Sequence, residues 1–243
     1  MKVIEEKFNV IRNFCMKNAD PEIKKKYSRY FKEGYDGYGI DKNIIEKQID
    51  NWIEQWKDEM TVDRYLILGD ELIQRGRYDE KNLAIVFIQT QRKHYSKDIF
   101  NRIGNWFDYG INNWATTDVL CWLVLSSFLI DKVIDIDDLK SWNNSESEWK
   151  RRAVPVTLIE LIKKDLKPKD AIYAIEPLML DNSEYVQKGI GTLLRGLWKK
   201  YPVEIEEFLF KWKDECGRLI VQYATEKMSK EYKAKFKKTK SKQ

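Results

Sequence analysis

The chain has 243 residues, 44 Lys and Arg against 39 Asp and Glu, one histidine, and a formal net charge of +5. Apolar residues make up 43% and aromatics 13%, which excludes a disordered chain, and the length fits one large domain or a single repeat array. The lone His94 excludes HExxH metalloprotease helices and two-histidine metal sites. Cys15, Cys121 and Cys216 are too scattered for a CxxC zinc pair or a paired disulfide framework, so a reducing cytoplasm is expected.

Along the chain, the N-terminus mixes both charges and lacks the basic start and apolar run of a signal peptide. Asp20-Pro21-Glu22 reads as an N-cap with proline at the first helical position. Tyr27, Tyr30 and Phe31 precede a turn holding Gly34, Gly37 and Gly39, whose spacing is not that of a GxGxxG phosphate loop. In residues 41–57, Ile44, Ile45, Ile49, Trp52, Ile53 and Trp56 form one face of a helix. His94 reads as a helix-end residue, suited to the helix dipole. The apolar run 119–130 is far shorter than the ~20 residues needed to span a bilayer, so it reads as a buried core helix with Cys121 inside it. Val133-Ile-Asp-Ile136 comes closest to strand alternation and is only four residues long. Ser145-Glu-Ser-Glu148 has capping-box spacing. Helical periodicity returns over 184–201 and 203–213, and Trp52, Trp56 and Trp212 read as packing residues.

Adjacent helices pair by length: 41–57 with 62–75, 80–93 with 97–109, 146–164 with 169–180, and 184–201 with 203–214. The expected fold is all-α, an α-solenoid (superhelix) of HEAT-like helical repeats over residues 1–229, with a globular helical bundle as the alternative. Residues 230–243 form a lysine-rich C-terminal tail with seven lysines and one glutamate. Without it the rest of the chain carries a net −1, so the global charge alone does not argue for an anionic partner.

Three groups of residues are candidates for chemistry. Trp114 and Asp118 are four apart and share one helix face, where an aromatic ring and a carboxylate could flank an electron-poor substrate. Spacing alone favours a plainer arrangement, a core tryptophan with Asp118 as a cap or surface acid. Arg151 and Arg152 open another helix beside apolar residues and could grip phosphates or hold a carboxylate, or simply line a solvated face. The glycine turn after Tyr30 is the third.

Taken in order, Arg29-Tyr30-Phe31-Lys32 with Tyr38-Gly39-Ile40, Asn113-Trp114-Ala-Thr-Thr-Asp118, Trp149-Lys-Arg-Arg152-Ala153, Gln187-Lys188-Gly189-Ile190-Gly191 and Tyr223-Ala-Thr-Glu-Lys227 resemble the AlkD-like DNA alkylation repair proteins. The resemblance implies a HEAT-like α-solenoid with a concave DNA-binding face. It also implies a monofunctional DNA glycosylase that removes cationic N3- or N7-alkylated purines from duplex DNA without a deep base-flipping pocket. Such a base already leaves well, so the reaction needs stabilised positive charge on the sugar and a placed water rather than a general acid. By this resemblance Asp118 is the catalytic carboxylate, and Trp114 and Tyr30 are aromatics of the substrate site. Arg152 contacts phosphate near the lesion, and Arg151, Lys188 and Arg195 are DNA-backbone contacts. With Arg29 and Lys32 they would form a basic inner face from which acids are displaced outward. No cofactor or metal is implied, and the expected protein is a monomer in the cytoplasm, associated with the nucleoid, with no membrane partner.

Two positions depart from the family pattern. Ala115 replaces an acidic residue, and Thr192 replaces a second tryptophan of the substrate site. Trp198, six residues on, points to another face. Loss of one cation–π partner costs about 0.5–2 kcal/mol. A non-catalytic DNA-binding relative and a protein-binding helical-repeat scaffold are therefore the alternative readings.

Overall fold

In the computed structural model, residues 2–32 and 34–239 are described. Among them every regular element is helical and there is no strand. The chain divides into two compact units, residues 1–112 and 113–243.

The first unit holds α1 (Lys2–Lys17), α2 (Pro21–Ser28), α3 (Lys42–Trp56), α4 (Val62–Arg75), α5 (Tyr78–Thr90), α6 (Lys97–Gly104) and α7 (Trp106–Tyr109). Asp20 caps α2 as expected, its carboxylate accepting from the backbone N–H groups of Glu22 and Ile23. The expected pairing of 41–57 with 62–75 gives way to a different contact. In α3, Trp52 stacks on Trp56 at 5.4 Å, and the two rings reach Phe14 of α1 and Phe87 of α5. Two large rings bury more apolar area than the slim isoleucine positions of the same helix, so they decide its neighbours. Helices α4 and α5 pack along their length. Asp70 of α4 accepts from Arg102, from Trp106 Nε1 at 2.7 Å and from Tyr109 OH, tying down α6 and α7. His94 lies in the short 3₁₀ turn after α5. The glycine turn folds back on α2: Gly39 has φ +78°, and a Cβ there would stand 2.5 Å from the Lys24 nitrogen. The buried Asp79 carboxylate accepts from the Tyr38 N–H at 2.6 Å, which fixes that turn.

The second unit begins with α8 (Trp114–Leu120), which continues through a π-helical turn (Cys121–Leu125) into α9 (Ser126–Ile130). Leu120, Cys121, Val124, Leu125 and Phe128 have no exposed surface, so the apolar run is the core helix its sequence implies. Then come α10 (Ile136–Lys140), α11 (Glu148–Leu161), α12 (Pro168–Ile175), α13 (Glu184–Trp198), α14 (Pro202–Trp212), α15 (Arg218–Ala224) and α16 (Lys230–Lys233). Residues 133–135 form no strand, and Asp135 caps α10. The cap of α11 is Ser147, whose hydroxyl accepts from the Lys150 N–H, whereas Ser145 accepts from Ser147. The cap thus falls two residues after Ser145, and with Lys150 at the third helical position it is a one-way cap rather than the expected capping box.

The expected neighbours α11–α12 and α13–α14 do meet, but the closest packing joins every second helix, α11 to α13 and α13 to α15. Glycines in α13 make this possible. A Cβ on Gly191 would lie 2.5 Å from Tyr223 Cβ and 2.7 Å from the Ile220 carbonyl of α15, and one on Gly189 would meet Pro155 of α11 at 3.2 Å. The sequence set residues 230–243 apart as a tail. Of these, 230–239 are described and fold against the unit: Phe236 is buried and stacks on Phe210 at 4.6 Å, and Thr239 is held by Asp214. Residues 240–243 lie outside the described residues.

Candidate functional site

The site is built on α8, α11 and α13 of the second unit. Asn113 caps α8 by accepting from the Thr116 N–H at 2.9 Å, which starts the helix at Trp114 and places Asp118 one turn on. Leu120 and Cys121 anchor the helix in the core, and Cys121 Sγ reaches the Ala153 carbonyl of α11 at 3.7 Å. That approach brings Asp118 opposite Arg152. The guanidinium grips the carboxylate in a two-armed pair, Nε to Oδ1 at 2.9 Å and Nη2 to Oδ2 at 2.8 Å. Its third nitrogen, Nη1, donates to the Tyr185 carbonyl of α13 at 2.5 Å. Both side chains are about one-tenth exposed. Gly189 of α13 leaves room beside Arg152 Nη1, and a Cβ there would stand 3.7 Å from it.

The expected phosphate contact of Arg152 is here accompanied by a carboxylate: the guanidinium spends three of its five N–H donors on Asp118 and the Tyr185 carbonyl, which fixes the orientation of Asp118. Burial pushes the Asp118 carboxyl above its ordinary range, while the hydrogen bonds and charge of Arg152 act against that shift. Burial likewise pushes the Cys121 thiol up, so it stays protonated and inert.

The expected backbone cations are also paired. Arg151 Nε donates to Asp181 at 2.6 Å and Lys188 to Glu184 at 2.8 Å, and Arg195 is bonded to Glu226. The expectation that acids are displaced away from these cations is not met. Thr192 is half-buried, and its hydroxyl donates to the Lys188 carbonyl at 2.8 Å, a turn earlier in its own helix. Tyr30 belongs to the first unit, exposed on the turn after α2, where its N–H donates to the Tyr27 carbonyl.

Two aromatic positions were read from the sequence only as parts of apolar helix faces. Tyr185 lies seven residues before Thr192, hence on the same face of α13, and its ring meets Trp149 of α11 at 4.7 Å. Lys188 Nζ sits 5.2 Å above the Tyr185 ring. Trp122, four residues after Asp118 on the π-helical turn, is 46% exposed. The signal for it is the spacing of four that already linked Trp114 to Asp118; the surrounding apolar run hid it. Among the described residues no cluster of three His, Cys, Asp or Glu is placed to hold a metal ion, and no helix is long and apolar enough to cross a membrane.

Three solved structures share the fold. One, described as a predicted DNA alkylation repair enzyme from Enterococcus faecalis, is 16% identical with a TM-score of 0.73 over 88% of this chain and 98% of its own. A second, AlkD2 from Streptococcus mutans, is 22% identical with a TM-score of 0.58 over 86% of this chain and 96% of its own. A third, smu.31 from Streptococcus mutans UA159, is 23% identical with a TM-score of 0.57 over 85% of this chain and 98% of its own. No curated protein sequence matches. The sequence model of the DNA alkylation repair enzymes matches residues 14–228, nearly the whole of both units, and the chain belongs to that family.

Proposed function

We propose that the protein is a DNA glycosylase that hydrolyses the N-glycosidic bond of cationic N3- or N7-alkylated purines in duplex DNA, with Asp118 as its catalytic carboxylate. One observation carries this reading: Asp118 is nearly buried yet held by two hydrogen bonds from Arg152, one turn beyond Trp114. A carboxylate fixed in that way is preorganised to stabilise positive charge, because its orientation costs nothing further during the reaction. As the C1′–N bond breaks, its electron pair neutralises the departing alkylated purine. The sugar is left cationic, and Asp118 stabilises it and accepts a hydrogen bond from the attacking water. The water oxygen then bonds to C1′ and its proton passes to solvent. Arg152 acts as a positioning residue through Asp118.

The aromatic rings nearest this carboxylate in the fold are Trp114 and, on the α13 side, Tyr185 with Trp149, since Thr192 offers no ring there. The test is release of 3-methyladenine and 7-methylguanine from methylated duplex DNA. Asp118→Asn is expected to lower the rate by about 10²–10³-fold, the usual effect of removing one preorganised electrostatic interaction. Release unchanged in Asp118→Asn refutes the assignment. Thr192 favours one second reading, a DNA-binding relative that has lost catalysis: binding to duplex DNA with no base released, and release gained in Thr192→Trp, identifies it. A stable protein partner with no DNA affinity at low salt identifies a protein-binding scaffold instead.

A further inference from the structure

Arg151, Arg152, Lys188 and Arg195 are each paired with a carboxylate, which weakens their attraction for a phosphate. Another group of cations is differently placed. A cavity of about 670 Å³ opens between α15 and the C-terminal residues 230–238. Lys213, Arg218, Lys230, Lys233, Lys237 and Lys238 line it, and no carboxylate does. Lys213 is paired with Asp214, and Lys233 Nζ reaches the Glu226 carbonyl. Arg218, Lys230, Lys237 and Lys238 are exposed, and none has an ion-pair partner among the described residues.

We propose that this cavity binds consecutive backbone phosphates of a DNA strand. The inference deepens the function proposed above and rests only on its DNA-binding part. Four unpaired cations around one cavity repel each other, and bound anions relieve that repulsion. The wall is fixed before any ligand arrives. Phe236 is buried and stacked on Phe210, and the Thr239 N–H and hydroxyl are both bonded to Asp214. These interactions anchor the chain on both sides of Lys237 and Lys238, which line the cavity together with Arg218 and Lys230. Val221, Ala234 and Phe236 add apolar lining, suited to the edge of a deoxyribose between charges. A strand carries a phosphate every ~3.4 Å of rise, so a cavity of this size faces more than one. A single small anion would leave most of the cationic rim unmatched.

The test uses the full chain and an unmodified duplex oligonucleotide, with affinity measured by fluorescence anisotropy from 50 to 300 mM KCl. The pocket variant is Arg218→Gln, Lys230→Gln, Lys237→Gln and Lys238→Gln together. All four side chains are exposed, so it is expected to fold, and its circular dichroism melt checks that. The control removes the same charge at exposed lysines elsewhere: Lys25→Gln, Lys26→Gln, Lys47→Gln and Lys93→Gln. In the pocket variant, affinity at low salt is expected to fall at least ~10-fold. The salt slope is expected to shrink by about 2–4, near 0.9 for each phosphate no longer neutralised. The control is expected to keep most of both. Equal losses in the two variants, or an unchanged slope in the pocket variant, overturn the proposal. So does pocket-dependent capture of anionic phospholipid vesicles with no binding to duplex DNA. Base release separates this proposal from the catalytic one. Pocket-dependent binding without release sinks the glycosylase and leaves the phosphate site standing. Release with pocket-independent binding does the reverse.

Discussion

Among single residues, the Asp118–Arg152 pair is where stability and chemistry meet. Two nearly buried opposite charges repay their desolvation only while both are present and well oriented. Arg152→Ala strands a buried carboxylate and leaves the Tyr185 carbonyl without its donor. The expected loss is about 3–5 kcal/mol in urea denaturation, and Arg152→Ala with Asp118→Ala should recover part of it. Arg152→Lys keeps the charge but not the two-armed grip, so it should lower the rate of base release more than it lowers stability. The pH dependence follows from burial. Because the Asp118 carboxyl is raised above its ordinary value of 3.8, and the ionised form is the one proposed to act, base release is expected to fall as pH drops into that raised range. The acid limb of the kcat profile, corrected for spontaneous depurination, should sit above an unperturbed aspartate and vanish in Asp118→Asn. The spacing of Trp114 and Asp118 is written in the sequence. The partnership with Arg152, thirty-four residues away, is not, because the cap of α8 and the approach of Cys121 to Ala153 create it.

Among the helices, α13 has two tasks. Its tyrosine carbonyl anchors Arg152, and its glycines admit α11 on one side and α15 on the other. The Gln187-Lys-Gly-Ile-Gly191 segment that helped place the chain in its family is, in large part, a packing device. Gly191→Ala tests this. Alanine gains up to about 1 kcal/mol of helix propensity, but here its methyl would collide with the α15 backbone. A net loss of about 1–3 kcal/mol is expected, read as a lower melting temperature. Helical periodicity located α3, α13 and α14 well, since each buries one face. It could not say which neighbour each would choose. Trp52 and Trp56 carry α3 to α1 and α5, and glycines set the alternate-helix contacts of the second unit. The π-helical turn that leaves Trp122 exposed has no signature in composition, because it is one hydrogen-bond shift within a continuous helix.

For the molecule as a whole, net charge is the least informative quantity. The +5 comes from a lysine-rich end, and within the folded units most of the cations expected to meet DNA are neutralised locally. What matters is where the end is held. The Asp214 carboxyl is lowered to about 2, chiefly by its hydrogen bond from Lys213 and then by the Thr239 N–H. A carboxyl depressed in the folded state contributes its attachment above the ordinary value of 3.8 and loses it as pH falls toward about 2. The Thr239 amide resonance should therefore shift to its free position between pH 4 and 2, and Asp214→Asn should shift it at neutral pH.

Residue order alone was enough for the all-helical class, the family and the position of the carboxylate proposed to serve its chemistry. Periodicity, caps and spacing are local, and they survive without any knowledge of packing. Packing in three dimensions was needed to show that Arg152 grips Asp118, that Arg151 and Arg195 are paired, and that the lysines of the C-terminal segment face a cavity. Each of those outcomes depends on a charge meeting its partner across about 30 residues or more of chain, or on a segment docking through Phe236, and no local pattern encodes such meetings. The Lys188–Glu184 pair differs, since its spacing of four within α13 was already open to a sequence reader.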